Sequence, residues 1–296
     1  MYETIVLAID RPIATITLNR PEELNTIVPP MPDEIEHAVN ACVRNSDVKV
    51  IVLRGAGRAF CGGFNFGDGF HHWDDQLTTD GKWDPGKDFV MATAGALSPT
   101  QKFMSIWRSP KPVIAQVHGW CVGGGSDYAL AADLVIASDD ARIGTPYARM
   151  WGAYLSGMWI YRLGLTRAKE FGLTGKPLSG KVAAEVGLIN ESVPFSDLES
   201  TVRQRAEQLA SIPSSQLAAQ KLVINHAIEN MGLASIQVLG PILDGLMRNT
   251  PDALDFIDYA KKDGVRAAVA KRDGLFDDYS QAPDDDKPDP NHVIHL

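Results

Sequence analysis

Two β-rich apolar runs separated by a short polar break open the chain and read as paired strands. Residues 5–9 and 13–18 are rich in Ile, Val, Leu and Thr and flank Asp10-Arg11-Pro12, which predicts a hairpin. In residues 32–44 the apolar positions Ile35, Ala38, Val39 and Cys42 fall on one helix face, with Pro32 and Asp33 suited to the first turn. Residues 48–55 form an apolar run that predicts a buried strand, and residues 113–117 and 134–137 repeat its character. Strands separated by helices predict an α/β organisation built from repeated strand-turn-helix units. Across residues 67–98 the pattern weakens into Gly, Asp, His and Trp, which predicts an irregular insert at the rim of a site or a lid over it. Past residue 195 helical spacing takes over, with segments at 197–211, 214–230, 234–248 and 251–271. The predicted organisation is a core over 1–195, a helical region over 196–276, and a loose acidic tail over 277–296 that has too little apolar surface to order itself.

Composition narrows the class of protein. A length of 296 residues, 45% hydrophobic and 22% charged, suits one large globular domain with an appendage. A net charge of -9 argues against nucleic acid as a partner, because a phosphate backbone demands clustered Lys and Arg. Cys42, Cys61 and Cys121 are scattered and odd in number, which points to a reducing compartment without a disulfide framework. No basic stretch followed by an apolar one opens the chain, and no run of about 18 apolar residues occurs, so the expectation is a cytoplasmic protein with no membrane partner.

Chemistry concentrates at residues 118–133, where an apolar strand meets a helix through Gly123-Gly124-Gly125. Such a junction exposes backbone N–H groups that stabilise a carbonyl oxygen gaining negative charge. Asp127 follows within the first helical turn, in reach of the same reactant. A second glycine turn, Ala59-Phe60-Cys61-Gly62-Gly63-Phe64-Asn65, follows the strand at 48–53. Two such donors converging on one oxygen make an oxyanion hole, and losing one typically costs about 3 kcal/mol of transition-state stabilisation.

Together these turns resemble the enoyl-CoA hydratase/isomerase family, the crotonase superfamily, over about residues 2–276. Leu18-Asn19-Arg20-Pro21-Glu22-Glu23-Leu24-Asn25, Ala59-Phe60-Cys61-Gly62-Gly63, the glycine triplet with Asp133 beyond it, and Gly144-Thr145-Pro146 match in order. So do Leu173-Thr174-Gly175-Lys176-Pro177-Leu178-Ser179, Ala183-Ala184-Glu185-Val186-Gly187-Leu188-Ile189, and the helix around Gly264-Val265-Arg266. The resemblance implies an α/β, crotonase-like spiral of repeated ββα units with a C-terminal helical trimerisation region, as a homotrimer or dimer of trimers. It implies an acyl-CoA thioester as substrate, coenzyme A entering only as part of that substrate, no permanently bound cofactor and no metal. By position, the N–H groups of Phe64 and Gly124 hold the thioester oxygen, while Glu23, Leu24, Asn25, Cys61, Gly62, Lys271 and Arg272 fall on CoA-binding segments.

Two departures bear on the reaction. Relatives that hydrate carry two glutamates, whereas the matching positions here are Asp127 and Tyr147. Aspartate withdraws the carboxylate by roughly 1.5 Å, one bond length. An ordinary tyrosine has a pKa near 10, so at neutral pH it donates a proton rather than taking one. What this pattern supports is a hydratase/isomerase-type lyase working through a thioester enolate. Other enolate reactions, namely hydrolytic C–C cleavage of a β-keto or cyclic acyl-CoA and decarboxylation, stay open, as does a catalytically weak acyl-CoA binder.

Several residues carry a plainer reading beside the functional one. Asp127 also suits a helix start or a pair with Arg149, and Tyr147 a wall position. Adjacent His71 and His72 cannot point the same way, which favours a solvated lid over a metal site. His118, at a strand end, reads as a core histidine. Trp73, Trp120, Trp151, Trp159 and Tyr154 either line an acyl pocket or pack the core, and Lys271 and Arg272 also suit a solvated helix end.

Overall fold

Six strands form the main sheet in the order Ile5–Asp10, Ile13–Leu18, Val50–Gly55, Val113–Val117, Leu134–Ser138 and Glu191–Val193. This is a computed structural model that describes residues 2–66, 71–276 and 279. The first two strands are the antiparallel hairpin expected from their β-rich composition, and every later pairing in this sheet is parallel. A second sheet runs Leu178–Ser179, Arg142–Gly144, Trp120–Val122 and Ala59–Cys61. Three strands of the first sheet are each followed by a short strand of the second: Val50–Gly55 by Ala59–Cys61, Val113–Val117 by Trp120–Val122, and Leu134–Ser138 by Arg142–Gly144. These repeated units wind into the ββα spiral that the family resemblance implies.

Burial explains the continuous apolar runs. One side of the main sheet faces a core that includes Ile16, Leu18, Ile51 and Leu53, closed by Met31, Ile35, Ala38, Val39 and Cys42 of the helix Pro30–Arg44. The other side, through Val50, Val52, Ile114 and Ile136, receives Leu198, Val202, Ala206 and Ala210 of the helix Phe195–Ala210. Strands buried on both faces have no polar side to alternate with.

Three expectations need correction. The predicted helix over 251–271 is two helices, Pro251–Asp263 and Val265–Asp273, because Gly264 takes φ +89° and ψ +151° between them. The insert is ordered where it is described: it forms the helix Asp74–Leu77, a hairpin of Thr78–Thr79 with Lys82–Trp83, and the helix Pro85–Thr93. Asp80 and Gly81 both take positive φ in that hairpin turn, and Asp84 caps the second helix through the N–H groups of Gly86 and Lys87. Nor is the segment a solvated lid throughout, since Trp73 and Leu77 are 4% and 5% exposed and join the core. The expected loose tail over 277–296 lies, except for Tyr279, outside the described residues. Among the described residues no helix is long and apolar enough to cross a membrane.

Candidate active site

Three strands of the second sheet run parallel and carry three loops to one edge. Ala59–Cys61 and Arg142–Gly144 both pair with Trp120–Val122, with Gly144 opposite Val122 and Cys61 opposite Cys121. Their carboxyl ends therefore deliver Gly62-Gly63-Phe64, Gly123-Gly124-Gly125 and Thr145-Pro146-Tyr147 side by side. Gly123 donates its N–H to the Gly144 carbonyl at 2.9 Å and takes φ +53°, ψ −126°, open only to glycine. A Cβ on Gly63 would come within 3.0 Å of the Val122 carbonyl, so the two glycine turns touch through their backbones.

The donors these turns present follow from the pairing pattern. Ile27 bonds to the Gly63 carbonyl and the Asn65 N–H, which turns the N–H of Phe64 to the opposite side. Gly124 opens the helix Gly124–Leu130, so its N–H has no acceptor within the helix. The Phe64 ring lies against Gly124, where a Cβ would stand 2.6 Å from it.

Asp127 is 0% exposed and carries three hydrogen bonds. Oδ2 accepts from the Tyr147 hydroxyl at 3.0 Å, and Oδ1 accepts from both the Ser156 N–H at 2.9 Å and the Ser156 hydroxyl. Burial pushes this carboxyl up to about 6, against the opposing pull of the Ser156 and Tyr147 bonds. Burial and the neighbouring Asp127 carboxylate push the Tyr147 phenol well above its ordinary range, so it stays protonated at neutral pH. The Tyr147 hydroxyl also stands 3.8 Å from where a Gly123 Cβ would be, which puts the hydrogen-bonded Tyr147–Asp127 pair beside the glycine turn. Ser126 donates to the Gly123 carbonyl at 2.7 Å and accepts from the Trp159 indole at 2.9 Å, locking the turn from beneath.

The pairing of Asp127 with Arg149 that the sequence allows does not form. Arg149 instead donates to the Thr174 carbonyl at 2.6 Å and pairs with Asp273 at 3.3 Å. Sequence reasoning missed Ser156, which lies nine residues past Tyr147 in a Ser-Gly turn with no signal of its own. His118 is a buried histidine whose Nε2 meets the Gly57 carbonyl at 2.7 Å. Asp133 is structural: it accepts from the Val113 N–H and the Lys221 ammonium, both at 2.7 Å.

The residues on the CoA-binding segments divide. Glu23 is exposed at the end of the turn Pro21–Glu23 and accepts from Arg20 and Asn65, and Leu24 follows it with φ +54°. Asn25 is fully buried, and its amide is spent on the Arg20 N–H and the Ala56 and Ala59 carbonyls, each at 2.8 Å. Cys61 is equally buried and donates its thiol to the Asn25 carbonyl, while Gly62 donates its N–H to the Leu24 carbonyl. The side chains of Asn25 and Cys61 therefore hold the wall of the site together instead of reaching a ligand. Arg272 is bound to the fully buried Asp273, whereas Lys271 is exposed with its ammonium 4.3 Å from the centre of the Tyr259 ring. The aromatic residues scatter: Trp73 packs on Phe64, Trp151 between Phe66 and Phe256, Trp159 on Tyr154, and Trp120 on Tyr279. They do not form one pocket. Among the described residues no group of three His, Cys, Asp or Glu could hold a metal.

A ββα spiral that gathers glycine turns and one buried carboxylate at the ends of its short strands defines a crotonase-fold protein. Comparison with known sequences agrees: the enoyl-CoA hydratase/isomerase profile matches residues 8–240, and the chain belongs to that family, which acts on CoA thioesters. It is 32% identical over 274 residues to a probable enoyl-CoA hydratase of Rhodobacter capsulatus, covering 92% of this chain and 96% of the relative. It is 31% identical over 234 residues to the 1,2-epoxyphenylacetyl-CoA isomerase of Escherichia coli K12, covering 78% and 85%. A crystal structure of an enoyl-CoA hydratase from Mycobacterium smegmatis superposes with a TM-score of 0.87 at 36% identity, covering 96% of this chain and 98% of that one.

Proposed function

We propose that this chain is a hydratase/isomerase-type lyase that acts on an acyl-CoA thioester through an enolate. The thioester oxygen sits between the N–H groups of Phe64 and Gly124, Asp127 is the base, and Tyr147 is the proton donor. The observation that carries this reading is the bond from Tyr147 to Asp127 beside the glycine turn, 3.0 Å long. A carboxyl near 6 is mostly ionised at neutral pH yet basic enough to take a proton, and the phenol beside it keeps its own.

In the hydration direction the Asp127 carboxylate takes a proton from water as the water oxygen bonds to the β-carbon. The electron pair of the C=C bond moves onto the thioester oxygen, where two backbone donors meet the charge. The enolate then collapses as the Tyr147 hydroxyl gives its proton to the α-carbon and regains one from the Asp127 carboxylic acid across their 3.0 Å bond, so that one water is added in all. Isomerisation uses the same pair without water: Asp127 removes a proton from one carbon and returns it to another two bonds away. One carboxylate serves either route.

The segments at 23–25 and 61–62 would flank the CoA chain, with the exposed Lys271 the better placed of the two cations for a phosphate. Leu222, Val223 and Ile224 of the helix Ser214–Glu229 and Leu239 and Leu246 of the helix Leu233–Met247 stand exposed, which supports assembly of copies through the helical region. A mass-spectrometric screen against short, long, aryl and cyclic enoyl-CoAs, with proton NMR of every product, tests the reading. Gain of one water or an unchanged mass with a moved double bond supports it. No change across the panel, or release of a carbon fragment, overturns it.

A further inference from the structure

The second glutamate of hydrating relatives is replaced here by Tyr147, yet the structure brings another carboxylate to the back of that tyrosine. Asp244 belongs to the helix Leu233–Met247, about a hundred residues away in sequence. A Cβ on Gly152 would lie 2.6 Å from Asp244 Oδ1 and 3.1 Å from Tyr147 Cδ1, so carboxylate and ring close on one glycine. Gly152 takes φ +106°, and its lack of a side chain is what lets them meet. Arg248, one helical turn on, reaches Asp244 at 3.0 Å and also Asp88 at 3.5 Å. Asp88 comes from the insert helix Pro85–Thr93, accepts from the Trp83 indole at 2.9 Å, and packs on Gly245, where a Cβ would stand 2.7 Å from it. Two carboxylates therefore share one guanidinium.

Resting on the acid/base reading above, we propose that Asp244 is the second carboxylate of this site, a positioning residue that acts through Tyr147 and sets the charge balance of the Tyr147–Asp127 pair. A residual negative charge behind the phenol opposes loss of its proton and opposes ionisation of Asp127. The groups around Asp127 are Tyr147, Tyr154, Ser156, Asp244 and the Cys121 thiol; Tyr154 also faces Tyr147, and Arg248 and Asp88 face Asp244. After burial, the Asp244 charge is among the causes that push both Asp127 and Tyr147 upward. The insert thereby gains a role in the chemistry, because its Asp88 competes for the cation that balances Asp244.

The test is an infrared titration of the protonated-carboxyl band in the full-length protein, with the Asp127 contribution identified by its loss in Asp127→Asn. Asp244→Asn is expected to lower the Asp127 midpoint by about half a pH unit or more, roughly a threefold change in ionisation constant. Asp244→Glu, which keeps the charge, is expected to hold the native midpoint. Asp88→Asn leaves Arg248 to Asp244 alone and is expected to lower the midpoint by less than Asp244→Asn does. An unmoved midpoint in Asp244→Asn, or an equal fall in Asp244→Glu or Asp88→Asn, overturns the proposal. Turnover of Asp127→Asn on the acyl-CoA panel separates the two levels. Unchanged turnover removes the acid/base reading itself, whereas lost turnover with an unmoved infrared midpoint removes only the part assigned to Asp244.

Discussion

The hydroxyl of Tyr147 donates to Asp127 Oδ2 across 3.0 Å, joining the loop after Arg142–Gly144 to the helix that follows Trp120–Val122. Parallel pairing of those two strands sets this distance, since Gly144 and Val122 are register partners and both residues lie a few positions beyond. The pair is thus a product of sheet register, and its chemistry can be tested one group at a time.

On the proposed mechanism, replacing Asp127 by Asn removes the base. Turnover on whichever acyl-CoA the screen identifies is expected to fall by about 10²–10⁴, while affinity for the thioester, measured by calorimetry, changes little. Stability moves the other way. The folded carboxyl titrates at about 6 against an ordinary 3.8, so its contribution is fully present below the unfolded value and is lost as pH rises through about 6. Urea melts are expected to show Asp127→Asn more stable than the native protein above that window, by up to about 3 kcal/mol, with the difference closing at acid pH.

Tyr147→Phe and Ser156→Ala each remove a donor that holds Asp127 down. The acid limb of the pH–rate profile, which reports ionisation of the base, is expected to move above its native midpoint in both. Ser156→Ala should move it further, because the Ser156 bonds are the larger of the opposing causes. A limb that moved to lower pH in either variant would contradict the assignment of Asp127 as base. Tyr147→Phe is also expected to lose about 10² in rate at its own optimum, since it lacks the proton donor.

Gly124→Ala places a methyl group 2.6 Å from the Phe64 ring and 2.9 Å from Ile27 Cδ1. The ring must give way, and with it the turn that carries the Phe64 N–H. Overpacking of this kind costs about 1–3 kcal/mol. The rate constant should drop far more than affinity for a saturated acyl-CoA, because the two donors are needed most when the oxygen is charged.

Asn25→Ala distinguishes a structural residue from a ligand contact. It strips partners from one buried N–H and two buried carbonyls, for an expected loss of about 2–4 kcal/mol. Thermal melts should show that loss, and KM for the acyl-CoA measured well below the melting point should stay near its native value. A KM effect without destabilisation would return Asn25 to the binding surface.

Local pattern was enough for the elements whose order depends on near neighbours. The hairpin at 5–18, the strand Val113–Val117 and the helix Pro30–Arg44 all declare themselves by composition or period, because each buries a face that repeats within a few residues. The glycine turns were legible for a similar reason: a backbone that must take φ +53° at Gly123 or +95° at Gly63 admits little but glycine. Asp127 and Tyr147 could be picked out by their distance from those turns and by a family resemblance. The bond between them could not, since it depends on a strand register that no local rule sets. Nor did the sequence point to Ser156 under the carboxylate, to Asn25 spent as a staple, or to order in the insert, where Trp73 and Leu77 find a core made by distant residues. Asp244 is the extreme case, the one charged residue of the apolar helix Leu233–Met247, with nothing to tie it to the site until packing sets it beside Tyr147 at Gly152. Sequence alone determined which backbones could form and where the glycine turns would lie. Tertiary structure decided which charges share that space, because burial and distance, which shift proton affinities, exist only once remote segments have met.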